Sequence, residues 1–83
     1  MKVTVEKIFK SNKESRMKAF ASVLVDDCLK ITGIKIIEGN NGLFISMPSR
    51  QLNDGTFQDI IYPINQETRD LFTQTILDAY NEE

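Results

Sequence analysis

Apolar and polar residues alternate along the first half of the chain, and the alternation divides it into short extended segments joined by polar turns. Residues 2–10 place Val3, Val5 and Phe9 on one side of a strand and Thr4, Glu6, Ile8 and Lys10 on the other, with Lys7 out of step among the apolar set. Residues 11–15 are polar throughout and make a turn. Residues 16–25 resume extended character: Met17, Ala19, Ala21, Val23 and Val25 share one face, while Phe20 and Leu24 share the other with Lys18 and Ser22. Asp26 and Asp27 form a second turn, and a third strand follows over residues 29–37, with Ile34 and Ile36 directed one way and Ile37 the other. Gly33 within it marks a bulge or a close backbone approach.

The second half is punctuated more heavily. Glu38-Gly39-Asn40-Asn41-Gly42 is rich in the residues that accept positive φ and reads as a turn. A short strand over residues 43–47 has to stop at Pro48, which has no amide hydrogen to give to a ladder. The loop 48–55 ends in Asn53-Asp54-Gly55, which favours a tight return into a strand over residues 56–62, and Pro63 closes that strand. Asn65 suits a helix N-cap, and Glu67 sets negative charge in the first turn, where the helix dipole favours it. Leu71, Phe72, Thr75, Ile76, Ala79 and Tyr80 then recur at helical spacing as one apolar stripe. The expected architecture is α+β, a small antiparallel sheet of about five strands followed by one C-terminal helix in a single domain. One helix covers one face of a sheet, yet Phe20, Leu24 and Ile37 lie opposite the main apolar rows. The second face therefore calls for a cover, and a homodimer formed through the edges or faces of the sheet is expected to supply it.

Composition supports a folded domain with a thin core: the chain has 83 residues, 41% of them apolar, and a domain of this size buries only about 60% of its unfolded surface. Cys28 is the only cysteine, so no intramolecular disulfide closes; it is read as a buried thiol near a strand start. With no histidine there is no Cys/His metal cluster and no base to activate Ser22, Ser46 or Ser49. Asp26 and Asp27 are adjacent and diverge, and Asp54 sits in a turn signal, so acid–base catalysis has no evident pair. No enzyme activity, cofactor or small-molecule substrate is expected. No apolar run approaches the roughly 20 residues of a membrane span, and the closely alternating N-terminus is unlike a signal peptide, so a cytoplasmic protein without membrane contact is expected.

The formal net charge is −2, but the charge is unevenly spread. Residues 1–18 carry Lys2, Lys7, Lys10, Lys13, Arg16 and Lys18 against Glu6 and Glu14, while residues 70–83 carry Asp70, Asp78, Glu82 and Glu83 with no base. A polyanion responds to local potential, so a basic face can coexist with an acidic helix.

Seven short segments stand in a particular order: Arg16-Met17-Lys18-Ala19, Ile37-Glu38-Gly39-Asn40, Gly42-Leu43-Phe44, Met47-Pro48-Ser49, Asp54-Gly55, Asp59-Ile60 and Pro63-Ile64-Asn65. In that order and spacing the chain resembles the SpoVG family, the bacterial septation and sporulation regulators. The resemblance implies a small homodimeric regulator that binds DNA and also RNA and modulates gene expression. It places part of the binding in the segment after Met-Pro-Ser, which in the family usually holds two basic residues; here it reads Arg50-Gln51, one positive charge fewer per protomer. Phe9, where a basic residue is common, and Tyr62, where histidine is common, are further departures.

The candidate binding residues are therefore Arg50 and Gln51, with Lys10, Lys13, Arg16 and Lys18 around the first turn. An arginine in a polar loop presents a planar fork of donors to phosphate oxygens, and a dimer displays two copies. The four basic residues of the first turn suit a hairpin tip that tracks a nucleic-acid backbone. Lys30 and Lys35 alternate outward from a strand and read as solvated. Phe44, Phe57 and Phe72 lie within apolar segments, where packing is the preferred reading over base stacking. The competing class is a protein-interaction module that acts through its sheet edge without nucleic acid, which the acidic balance and Gln51 both suit.

Overall fold

A computed structural model describes residues 1–11 and 16–82. The elements run β1 (Val3–Lys10), β2 (Met17–Val25), β3 (Leu29–Gly39), β4 (Gly42–Ser46), β5 (Ser49–Gln51), β6 (Phe57–Asp59) and α1 (Gln66–Glu82). The first four strands make one antiparallel sheet in the order β1-β2-β3-β4, and β5 and β6 pair as a separate two-stranded ribbon. The expected single sheet of about five strands is thus divided in two. Pro48 explains the division, because without an amide hydrogen it cannot extend the ladder of β4, which stops at Ser46. Ser49–Gln51, expected as loop, instead pairs with Phe57–Asp59, and residues 60–62 leave the ladder. The Asn-Asp-Gly return is present: the Gly55 amide donates to the Leu52 carbonyl, the Leu52 amide donates to the Thr56 carbonyl, and Thr56 donates its amide and hydroxyl hydrogens to Asp54 Oδ1 at 3.0 and 2.6 Å.

The core is a single layer between sheet and helix. Ala19, Ala21 and Val23 of β2 and Ile31, Ile34 and Ile36 of β3 are buried together with Phe72 and Ile76 of the helix and Met47. Asn65 caps that helix as expected, its Oδ1 accepting the Thr68 amide at 2.8 Å. Asp26 and Asp27 both adopt positive φ in the turn between β2 and β3, and Asp26 Oδ1 accepts the Lys2 amide at 2.7 Å. Cys28 is exposed rather than buried; its thiol donates to the Asp26 carbonyl at 3.1 Å. No helix among the described residues is long and apolar enough to cross a membrane.

Three register shifts decide which side chains face the helix. One residue is inserted in β1 between Val5 and Lys7, so Glu6 has no partner of its own on β2. Because one inserted residue moves all later side chains to the opposite face, Ile8 joins Val3 and Val5 against the core, while Phe9 turns outward. This corrects the face assignment made from strict alternation, and the misfit of Lys7 was its trace. A second shift at Lys18 sets Met17 beside Ile37 on the outer side instead of in line with Ala19. The third, at Thr32 and Gly33, is the expected bulge, and Gly33 takes φ +79, a conformation glycine adopts without penalty.

With so thin a core each buried side chain matters. Ile76→Ala is expected to lower unfolding stability by about 2–5 kcal/mol, whereas Ile60→Ala, at a side chain 65% exposed, is expected to stay within about 0.5 kcal/mol. Urea unfolding followed by circular dichroism measures both.

Candidate nucleic-acid interface

The face of the sheet turned away from α1 is built by cross-strand pairs. Phe9, Phe20, Lys35 and Ser46 form one row across all four strands; Met17, Ile37 and Phe44 form a second, and Thr4, Leu24 and Lys30 a third. Lys7 stands opposite Ser22 between them. The rings are open to solvent: Phe9 is 61%, Phe20 40% and Phe44 46% exposed. Phe44 lies over Gly39, where an added Cβ would come within 2.9 Å of the ring, so only glycine allows the ring to settle there. A depression of about 190 Å³ opens on this face, lined by Lys7, Phe9, Phe20, Ser22 and Lys30 among others. Lys7 Nζ stands 6.0 Å from the centre of the Phe9 ring, at the limit of a cation–π contact.

Charge on this face is net positive. Lys30 Nζ pairs with Glu6 Oε1 at 2.8 Å, and the Ser22 hydroxyl donates to the same carboxylate oxygen at 3.2 Å. Lys7 and Lys35 have no carboxylate within ion-pair distance among the described residues. The hydrogen bond from Lys30 is the main cause holding the Glu6 carboxyl below its usual range; desolvation opposes it and the Ser22 bond reinforces it. The helix on the far side carries Glu67, Asp70, Asp78 and Glu82 against Arg69.

The residues named from the sequence are placed less favourably. Arg50 is exposed on β5 and pairs with Gln58 across the ribbon, so its nearest cross-strand neighbour is an amide rather than an acid. Gln51 braces its own turn, donating from Nε2 to the Gly55 carbonyl at 3.4 Å. Lys18 is engaged by Glu38 at 3.7 Å, Lys10 lies 5.3 Å above the Tyr80 ring on the helix side, and Arg16 is exposed, its carbonyl accepting the Glu38 amide at 2.7 Å. Lys13 lies outside the described residues. Strand order sets the described members apart, since Lys10 ends the edge strand β1 and Arg16 and Lys18 flank the start of its neighbour β2, while Arg50 follows the opposite edge strand, β4. One chain alone does not gather them into one surface. Of the three phenylalanines weighed for stacking, Phe72 is buried, while Phe44 and Phe57 are open.

The sheet face itself was missed. Lys35 reads as a solvated strand residue until its register beside Phe20 is known, and Phe9 reads as core until the Glu6 bulge turns it outward. The signal that was available is the phenylalanine at position 20 between Lys18 and Ser22, on the polar side of β2.

A profile of the SpoVG family matches residues 1–82. The chain belongs to the SpoVG family. Among its relatives, each named "Putative septation protein SpoVG", that of Caldicellulosiruptor bescii is 52% identical over 80 residues, covering 96% of this chain and 91% of its own length. That of Phytoplasma australiense is 50% identical over 82 residues, covering 99% of this chain and 85% of its own length. That of Archaeoglobus fulgidus is 42% identical over 81 residues, covering 98% and 95%. The family likeness thus spans both the sheet and the helix of this SpoVG domain, and the resemblance read from the short segments is borne out.

A second exposed surface is apolar without lysines. Met1, Leu29, Ile61, Tyr62, Pro63 and Ile64 line a groove of about 380 Å³ at the end of the sheet, and no charged side chain contributes to it.

The Glu6–Lys30 pair gives a direct check on the electrostatics of the sheet face. In a carboxyl-carbon NMR titration, Glu6 is expected to titrate below an ordinary glutamate, and Lys30→Ala to move it upward. Because its folded-state pKa is depressed, the contribution of the pair to stability is present above the unfolded-state value and is lost as pH falls through the folded-state one. A midpoint unmoved by Lys30→Ala contradicts the assignment.

Proposed function

We propose that this SpoVG-family protein is a cytoplasmic, non-catalytic regulator that binds nucleic acid, DNA and also RNA, as a homodimer and thereby modulates gene expression in septation-type processes. The observation that carries this reading is the division of charge: acids dominate the helix side, while Lys7, Lys30 and Lys35 face outward with Glu6 as the acid beside them. A polyanion is attracted to that local potential even though the protein as a whole is acidic. Arg50 adds a fork of donors on the ribbon, suited to phosphate oxygens. With Gln51 occupied by its turn, the ribbon brings one cation per protomer, which suits contacts that hold the backbone rather than read bases.

The homodimer is the second half of the proposal, and the lysine-free groove at the end of the sheet is its best-suited contact. It is lined by large apolar side chains, Ile64 among them, that a monomer leaves in water. The relatives' name supports a septation role. The alternative, a module that binds protein partners only, draws on the same groove.

Titration of DNA and RNA fragments at two salt concentrations tests the reading. Binding is expected to weaken steeply with salt. Arg50→Ala is expected to weaken it alike for all sequences and to flatten the log–log salt slope by about one for each phosphate the arginine neutralises. Unchanged slope and affinity remove Arg50; absence of any shift at low salt favours the protein-only alternative. Light scattering is expected to give twice the 9.5 kDa chain mass, and Ile64→Glu to reduce it to one.

A further inference from the structure

We propose that the outer face of the sheet is a stacking platform for single-stranded nucleic acid, with bases on Phe9 and Phe20 and the phosphates drawn by Lys7 and Lys35. The proposal rests on the nucleic-acid reading above and assigns it a strand form and a set of residues. Phe9 and Phe20 are direct cross-strand partners, both open to solvent, and both border the depression that Lys7 and Lys30 also line. Lys35 is the next residue in the same row, beyond Phe20. Phe44 offers a further ring two strands away, roughly 10 Å across and 7 Å along the sheet from Phe20, by strand spacing and rise.

Aromatic rings that stand among lysines on an antiparallel sheet suit unpaired bases, since every base has a face to stack and a phosphate to pair. A duplex fits poorly. The outer strands of this sheet lie about 14 Å apart, too broad for a major groove of about 12 Å that admits a helix or a two-stranded ribbon, and the bases of a duplex are already stacked on each other.

A second copy of the chain fits this face no better. Two-fold pairing over Phe9 and Phe20 would bring Lys7, Lys30 and Lys35 of one protomer against a surface bearing the same three lysines, with Glu6 as the acid among them. The chain offers a separate groove free of charged side chains for self-association. The charge on the sheet face is complementary to phosphate.

The test compares a short oligothymidylate or oligouridylate with a mixed-sequence duplex, using the full chain and a Phe9→Leu/Phe20→Leu variant that keeps apolar bulk. Single-strand affinity is expected to fall about ten-fold or more in the variant, with duplex affinity, dimer mass and circular dichroism unchanged. The chain has no tryptophan, so Phe9→Trp supplies a unique indole fluorophore whose emission the stacked base is expected to quench. Unchanged single-strand affinity in the leucine variant, or no quenching at saturation, overturns the platform; if Arg50→Ala still weakens binding, the broader nucleic-acid reading stands. A leucine variant that loses its dimer overturns the platform by making this face a protein contact. Failure of the unaltered chain to bind either strand form at low salt overturns both readings.

Discussion

Phe72 and Ile76 project from one helix into the layer formed by Ala19, Ala21, Val23, Ile31, Ile34 and Ile36, and this packing closes the core. A helix is about 10–12 Å across with its side chains, and the sheet spans about 14 Å between its outer strands, so one helix suffices for one face and no second helix among the described residues remains for the other. The four strands pair with their sequence neighbours in order, and among the described residues no crossover segment covers the outer side. The rest of the chain's surface chemistry follows from that asymmetry. Acidic residues gather on the helix, and the open sheet face keeps a mixture of rings and lysines that a second layer would have excluded.

Bulges refine this asymmetry one residue at a time. The insertion at Glu6 lets Ile8 continue the buried row of β1 and turns Phe9 toward Phe20, while Glu6 itself accepts bonds from Lys30 and Ser22. Without the insertion, strict alternation would keep Phe9 on the face of Val3 and Val5, and the outer face would lose the partner of Phe20. The bulge at Gly33 acts in the same way on β3: Ile31 and Ile34 both face the core although three positions separate them, and Lys30 and Lys35 both face outward. Local backbone irregularity, more than residue choice alone, therefore sets which groups meet on the outer surface.

Much of the fold was legible because its signals are local. The Gly33 bulge, the Asn65 cap, the Asn-Asp-Gly return and the helical stripe through Phe72 and Ile76 are each set by a few neighbouring residues. Pro48 ended β4 as expected, but the pairing of Ser49–Gln51 with Phe57–Asp59 depended on a short ribbon whose strands carry little apolar pattern. The site was harder to read because it is assembled across strands. Arg50 and the basic turn were found by residue type and by family likeness, yet their distribution over opposite edges of the sheet is a property of strand order. Lys7, Lys35, Phe9 and Phe20 are unremarkable singly; only the register makes them one surface.

If nucleic acid meets this protein on the outer sheet face rather than on the helix, amide NMR of the labelled chain during titration with a single-stranded oligonucleotide shows it most directly. Perturbations are expected to concentrate at Lys7, Phe9, Phe20 and Lys35 and to extend to Arg50, with α1 nearly silent. Perturbations concentrated on α1, with the outward positions of β1, β2 and β3 unmoved, would contradict that placement.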